Sequence, residues 1–330
     1  MDIRDAIHGR QTINEPVLQE LINTRLVQRL KHVNQAGALK YTTPHATVTR
    51  YEHSIGVMLL LRQLGASLKE QIAGLLHDTP HTAFSHVIDY ALEVNGHDYH
   101  DQHYKRILQT SQVPRILEKH GYNYKEFLDL EQYTLLERPA PDLCADRIDY
   151  TLRDTQIIRR VDMTNYLEYF TTHNGRVVMT NAHKASAFAQ EYLASDKHIW
   201  ANPREAAAYE LLATALRQAL KNNLITHEDL WLTDDELYAV LDRSQDEVIE
   251  QALEQLNQNL RVRTSEEPAD FANKPKLRYI NPHVKTNDQI TRASEHDKEL
   301  LNAIREHRRW HNQEQHITIL RHETPILETN

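Results

Sequence analysis

Three short stretches of this chain gather the side chains that bind cations and move protons. "RYEHSIGVMLLL" (50–61) sets Arg50 and His53 at the head of an apolar run. "AGLLHDTPHTAFSH" (73–86) ends a second apolar run with His77, Asp78, His81 and His86. "PDLCADRIDYTLRD" (141–154) spaces Asp146, Tyr150 and Asp154 at i, i+4 and i+8, with Arg147 beside them. On a helix that spacing puts a carboxylate, a guanidinium, a phenol and a second carboxylate on one face. Imidazoles together with carboxylates make a mixed N/O site for Mn²⁺, Fe²⁺, Ni²⁺ or Zn²⁺, with Mg²⁺ less natural because of the nitrogens. Such an ion polarises a phosphoryl oxygen and lowers the pKa of a bound water. His81 stands just beyond the Thr79-Pro80 break, placed for a general acid or proton shuttle. Arg50 and Arg147 offer positive charge to phosphates.

Each of these residues also has a plainer reading. The histidines and aspartates can cap helices and satisfy one another. The arginines can bridge to Asp149, Asp154 or Glu52, and Tyr150 can be a half-buried aromatic. His86 is read as a packed or capping histidine. His97, His100 and His103 divide between a solvated helix face and a contribution to the site.

The elements that must position these groups are mainly α-helices. The 8 glycines are few, and capping boxes are expected at Thr49…Glu52, Ser67…Glu70, Thr233…Glu236 and Ser244…Glu247. Gly37, Gly65 and Gly96 sit where helices should stop. The periodicity predicts helices near 16–23, 24–36, 50–64, 68–78, 83–94, 98–110, 123–130, 142–160, 181–198, 203–222, 234–242, 245–259 and 294–311. Strands are expected at 176–179, 276–280 and 316–320, and "RVRTSEEPADFANKP" (261–275) reads as a linker. The expected organisation is a helical domain over 1–260 and a small mixed α/β extension over 261–330, with short strands and one helix. His77 and Asp78 point about 100° apart if helical, so one ion takes both only from above the helix end. The Thr79-Pro80 break allows that.

The chain carries 47 Asp and Glu against 38 Lys and Arg, for a net charge of −9. That field argues against non-specific binding of nucleic acid or anionic membrane, and the basic "REHRRWH" (305–311) reads as a solvated helix face. One cysteine, Cys144, excludes an internal disulfide and fits a reducing cytoplasm. No apolar run of about 18 residues and no apolar leader occur, so the expectation is a soluble, cytoplasmic protein.

"DAIHG" (5–9), "LINTRLVQRLKHVNQAG" (21–37) and the three stretches above resemble, in that order, the HD-domain phosphohydrolases. Within them the likeness is to the branch of the dNTP and dGTP triphosphohydrolases, and it covers the first half of the chain. The resemblance implies an HD-type helical bundle with His53, His77, Asp78 and Asp146 as ligands of a divalent metal (Mn, Fe, Ni, Co, Zn or Mg). It implies His81 as catalytic histidine and His100 with Asp101 as a second pair beside the scissile phosphate. Arg50 and Arg147 fall where the branch contacts phosphates, and Gln35, Tyr150 and Asp154 where it holds the sugar. Pro80, His45 and Val48 depart from common family residues. Asn23 and Lys31 stand where nucleotide-activated members carry aspartate and arginine. The resemblance also implies a homo-oligomer.

The resulting expectation is a metal-dependent phosphohydrolase acting on nucleotides with metal-activated water, foremost a dNTP triphosphohydrolase. Nucleotide phosphomonoesterase or cyclic or dinucleotide phosphodiesterase activity is the alternative. A nucleotide sensor without turnover, or a scaffold or nucleic-acid partner built around the C-terminal piece beyond residue 261, are readings of another class.

Overall fold

Thr49 starts the central helix as expected. Its side chain accepts from the Glu52 amide while Glu52 accepts from the Thr49 amide, so two otherwise unpaired donors are satisfied. The computed structural model describes residues 1–94, 98–265, 269–287 and 289–320. Gly96 and His97 lie outside the described residues.

The Arg50–Gln63 helix is buried from Arg50 through Leu61 except at Tyr51 and Glu52, and packs against the Leu68–Leu76 and Ala145–Ile157 helices. Ile55, Met58 and Leu60 meet Leu75, Leu76, Ile148 and Leu152 in one apolar cluster. A second cluster gathers Leu211, Leu212, Ala215 and Leu216 of the Pro203–Lys221 helix with Phe84, Val87, Leu237 and Ile249. The protein is mainly α, with small sheets concentrated toward the C-terminus. Among the described residues no helix is long and apolar enough to cross a membrane.

Several elements differ from the sequence reading. The stretch read as a helix over 24–36 is helical only over Arg25–Arg29 and Leu30–His32. It then extends so that Asn34 bridges Thr49. The 83–94 helix shrinks to Val87–Ala91, because Phe84 and Ser85 adopt positive φ. The 123–130 helix is one 3-10 turn, Tyr124–Phe127, and a helix at Val113–Lys119 went unread. The 181–198 helix runs Ala182–Ser195 and then widens into a π-helical turn, Asp196–Trp200. Glu70 does not close a capping box; its carboxylate accepts from the Leu135 and Leu136 amides. The last box fails because Asp246, not Ser244, caps the Glu247–Gln255 helix.

The strands diverge most. Residues 276–280 form no strand; the His283–Thr286 and Gln289–Arg292 hairpin follows instead. His283–Thr286 pairs in parallel with Arg176–Met179, through Met179 and Val284, which itself pairs with Phe170–His173. The stretch read as a linker holds Arg261–Thr264 and Phe271–Asn273, both antiparallel to a central Gln315–Leu320. An Asp2–Asp5 and Gly9–Thr12 hairpin was not foreseen. Ile280, Val284, Ala293, Leu300 and Ile304 complete the first apolar cluster and Ile317 joins the second.

Candidate active site and metal centre

The Leu68–Leu76 helix ends against the Thr79 hydroxyl, which donates to Leu76 O, and His77 and Asp78 fall on its terminal turn. Arg29 donates to Thr79 O and His81 O, pinning the turn that follows. Across from it, His53 comes from the first turn of the Arg50–Gln63 helix and Asp146 from the first turn of the Ala145–Ile157 helix. The four groups converge. His53 Nε2 lies 2.9 Å from Asp146 Oδ1 and 3.7 Å from Asp78 Oδ2. His77 Nε2 lies 3.4 Å from Asp78 Oδ1 and 3.6 Å from Asp146 Oδ1.

Both imidazoles present a nitrogen to this centre. His77 Nδ1 sits 2.7 Å from Gly74 O, so it carries the proton, and the buried Nε2 is left with no hydrogen-bond partner. His53 Nδ1 sits 2.8 Å from Asp149 Oδ2, an outer carboxylate that fixes the ring and directs Nε2 inward. Asp78 and Asp146 are held well below the usual carboxylate range. Burial acts to raise both, and is outweighed at Asp78 by Arg50, His77 and His81, and at Asp146 by His53 and His77. Burial likewise opposes charge on His53, yet the Asp146 and Asp149 carboxylates push it up to about 10. Two carboxylates and two inward nitrogens, one of them the unpartnered His77 Nε2, fit a divalent cation.

Asp149 is the residue the sequence reading missed in this role. It accepts from Arg153 Nε at 2.7 Å, and Arg153 Nη2 donates to Asp5 at 2.8 Å. Gly56 makes room for them: a Cβ there would lie 2.0 Å from Asp149 Oδ1 and 1.9 Å from Arg153 Nη2. The i+3 and i+4 spacing of Asp146, Asp149 and Arg153 was a visible signal, but Asp149 was read only as a partner for arginine.

A second group of imidazoles flanks the first. His81 and His100 stack with centroids 4.0 Å apart and planes 16° from parallel, and the His86 ring stands edge-on to both. His81 Nε2 approaches Asp78 Oδ1 at 3.3 Å, which ties this group to the four converging side chains. Burial and then Arg50 push His81 well below the ordinary imidazole range; burial and His86 take His100 down to about 4. His86 therefore belongs to this cluster as well as contacting Asp89 at 3.0 Å. Asp101 is exposed, with Oδ1 3.4 Å from His100 Nε2, and His103 packs on Tyr99 and Trp231 instead.

A model of the HD domain matches residues 50–154, the interval from Arg50 to Asp154 that contains all four converging groups. The chain is similar to the protein YdhJ of Bacillus subtilis, with 41% identity over 89% of this chain and 91% of that one. It is also similar to the metal-dependent phosphohydrolase cns2 of Cordyceps militaris, with 37% identity over 77% of this chain and 76% of that one. The chain belongs to the HD-domain metal-dependent phosphohydrolases. It shares 38% identity with the deoxynucleoside triphosphate triphosphohydrolase SAMHD1 of Bos taurus over 26% of its own length and 17% of that protein. The crystal structure of a phosphohydrolase from Bacteroides thetaiotaomicron shares the fold, with a TM-score of 0.69, 18% identity and coverage of 89% and 94%.

Beside the HD-domain centre lie the groups expected to hold substrate. Gln35 Nε2 reaches Asp154 Oδ1 at 3.5 Å, and its buried Oε1 has no partner. Trp200 Nε1 donates to Asp154 Oδ2 at 2.8 Å, and the Tyr150 and Tyr192 hydroxyls meet at 2.7 Å. Burial pushes Asp154 up to about 6. Trp200 and Tyr192 were absent from the sequence reading, because they come from a distant helix and its π turn. Tyr209 reaches the same side, donating to Ala36 O across Gly37, whose positive φ and lack of Cβ admit the ring.

The two arginines are engaged by protein. Arg50 Nη1 donates to Asp78 at 2.8 Å, Nε to Ser85 Oγ at 2.9 Å and Nη2 to Gln35 O at 3.3 Å. Arg147 turns back onto Arg138 O, Asp142 O and Cys144 Sγ, with Glu137 3.4 Å away. Neither pairs with Asp149, Asp154 or Glu52. Arg50 instead clamps the Asp78 carboxylate.

Proposed function

We propose that this protein hydrolyses a phosphate bond of a nucleotide at the His53, His77, Asp78 and Asp146 centre, with deoxynucleoside triphosphates as substrates. The convergence of those four side chains next to Gln35, Tyr150, Asp154, Trp200 and Tyr192 carries this reading. A divalent cation held by the four would polarise a phosphoryl oxygen and activate water for attack on phosphorus.

The chain's own groups divide the remaining work. Asp149 and Gly74 O hold His53 and His77 in the tautomer that turns Nε2 toward the centre. Arg50 fixes Asp78 and links it through Gln35 to Asp154, so phosphate and sugar ends are set by one hydrogen-bonded chain. Asp154, Gln35 and the Tyr150 hydroxyl supply acceptors and donors for a deoxyribose, and the Trp200 and Tyr192 rings supply apolar faces. His81, backed by His100, hands a proton to the leaving oxygen. Burial keeps both neutral in the free protein, and the negative charge of an arriving polyphosphate raises their affinity for that proton.

A second reading, removal of a single phosphate, is favoured by one observation: Arg50 and Arg147 already commit part of their guanidinium donors to protein acceptors. A triphosphate chain asks for more free positive charge than a monoester does. Assembly into a homo-oligomer belongs to the same proposal and is read by light scattering. Full-length protein loaded with Mn²⁺, Fe²⁺, Co²⁺ or Ni²⁺ is assayed against dNTPs, nucleoside monophosphates and cyclic nucleotides. Release of tripolyphosphate from dNTPs supports the first reading. Orthophosphate from monophosphates alone moves the conclusion to the second, and binding without turnover under all four metals returns it to a sensor.

A further inference from the structure

Away from the HD-domain centre, a second set of metal-binding side chains is enclosed in the protein. Asp196, on the π-helical turn, faces His307 and His311 of the Lys298–His311 helix, and all three are essentially inaccessible. His307 and His311 are i, i+4 neighbours, so one helix face presents both rings. Both aim Nε2 at the same oxygen, Asp196 Oδ2, at 2.9 and 2.5 Å, and the two Nε2 atoms are 3.1 Å apart. The carbonyl of Arg278 comes within 3.0 Å of His307 Nε2.

Hydrogen bonds from neutral rings account poorly for this triangle. His311 Nδ1 faces Pro275 O at 3.4 Å while its Nε2 faces the Asp196 carboxylate, so a neutral ring turns a bare nitrogen toward an acceptor on one side or the other. With a cation at the triangle, Nδ1–H donates to Pro275 O and the Nε2 lone pair goes to the ion. That is the outer-carbonyl arrangement typical of metal-bound imidazole. Four-coordinate zinc with bonds of about 2.0–2.1 Å sets ligand atoms roughly 3.3 Å apart, so the edges here, 2.9, 2.5 and 3.1 Å, would have to open, most of all between His311 and Asp196. Asp196 Oδ1 takes no hydrogen bond and lies 3.8 Å from Arg278 Nη1, which leaves Oδ2 for the ion.

We infer that Asp196, His307 and His311, with the Arg278 carbonyl as the nearest fourth donor, form a second, structural site for a zinc-class divalent cation. The site fastens the Lys298–His311 helix and the 275–278 segment to the π turn. The same turn carries Trp200, the donor to Asp154, so the ion holds one wall of the substrate side in place.

The test uses full-length protein loaded with zinc, freed of excess and analysed for bound metal and for melting temperature with and without chelator. Three forms are compared: wild type, His77→Ala/Asp78→Ala and His307→Gln/His311→Gln. The His77→Ala/Asp78→Ala form is expected to keep about one zinc per chain, to lose several degrees of melting temperature on chelation, and to give tetrahedral visible bands with cobalt(II). The His307→Gln/His311→Gln form is expected to lose about one equivalent relative to wild type and most of the zinc-dependent rise in melting temperature. Absence of zinc from the His77→Ala/Asp78→Ala form overturns the inference, as does an unchanged zinc content in the other variant. If the His307→Gln/His311→Gln form does not fold, the His77→Ala/Asp78→Ala arm decides alone. If neither folds, wild type holding less than about one and a half zincs per chain overturns it.

Discussion

The HD-domain centre and the Asp196–His307–His311 cluster use the same side-chain chemistry and differ in what surrounds it. At the HD centre the candidate donor atoms are spread 2.9–3.7 Å apart, and the Asp146 and His77 side chains keep 23% and 12% of their exposure. In the second cluster the edges are 2.5–3.1 Å and no side chain exceeds 1%. An open, loosely spaced donor set leaves coordination positions for substrate and water. A tight, enclosed one leaves none and suits structure. The supports differ accordingly. The HD histidines are held by Asp149 and Gly74 O, while the enclosed pair shares one helix and only His311 has an outer acceptor, Pro275 O.

The sharpest break between the two centres comes from His77→Ala/Asp78→Ala, which is expected to take hydrolysis to background while the fold survives. Retained turnover would erase the functional side of the contrast. The next effect in size concerns Asp154, whose carboxyl is raised by burial to about 6. A raised acid binds its proton more tightly folded than unfolded, so its contribution to stability falls as pH rises from about 4 to 6 and stays lost above that. Asp154→Asn in metal-free protein should therefore gain up to roughly 3 kcal/mol over wild type at pH 8, with the gain vanishing near pH 4. Denaturant melts at the two pH values measure it. Asp149→Asn should then cost about 10–100-fold in metal affinity or turnover at the HD centre, leaving zinc at the enclosed site unchanged. Metal titration separates the two. Smallest is Thr233→Ala, which removes a helix cap worth about 1 kcal/mol. That cap sits beside Asp234, which accepts from the Asn34 and Phe84 amides behind the HD centre. Melting should drop without a change in metal content.

The two centres were also unequally legible in the sequence. His53, His77, Asp78 and Asp146 sit at the ends of apolar helices in an ordered motif, so residue type and local spacing announced them. Asp149 was half visible, because its spacing from Asp146 and Arg153 was plain while its partner His53 lies 96 residues away. Asp196 and His311 are 115 residues apart, and "REHRRWH" gave only a helical face with basic character, so it was read as solvated. Long helices such as Arg50–Gln63 and Pro203–Lys221 were readable because their apolar pattern repeats over several turns. The short strands were not, since Arg261–Thr264 and Phe271–Asn273 exist only by pairing with Gln315–Leu320 from the far end of the chain. The positive φ of Phe84 and Ser85 left no compositional trace. Tertiary hydrogen bonds to Asp234 and Asn34 impose it.

Anomalous diffraction from crystals of the full-length protein grown with Mn²⁺ tests the central claim most directly. A single strong peak should lie among His53 Nε2, His77 Nε2, Asp78 and Asp146, with metal–ligand distances of about 2.0–2.3 Å. Manganese bound elsewhere in a protein that still hydrolyses nucleotides, with those four side chains free of it, would contradict the account.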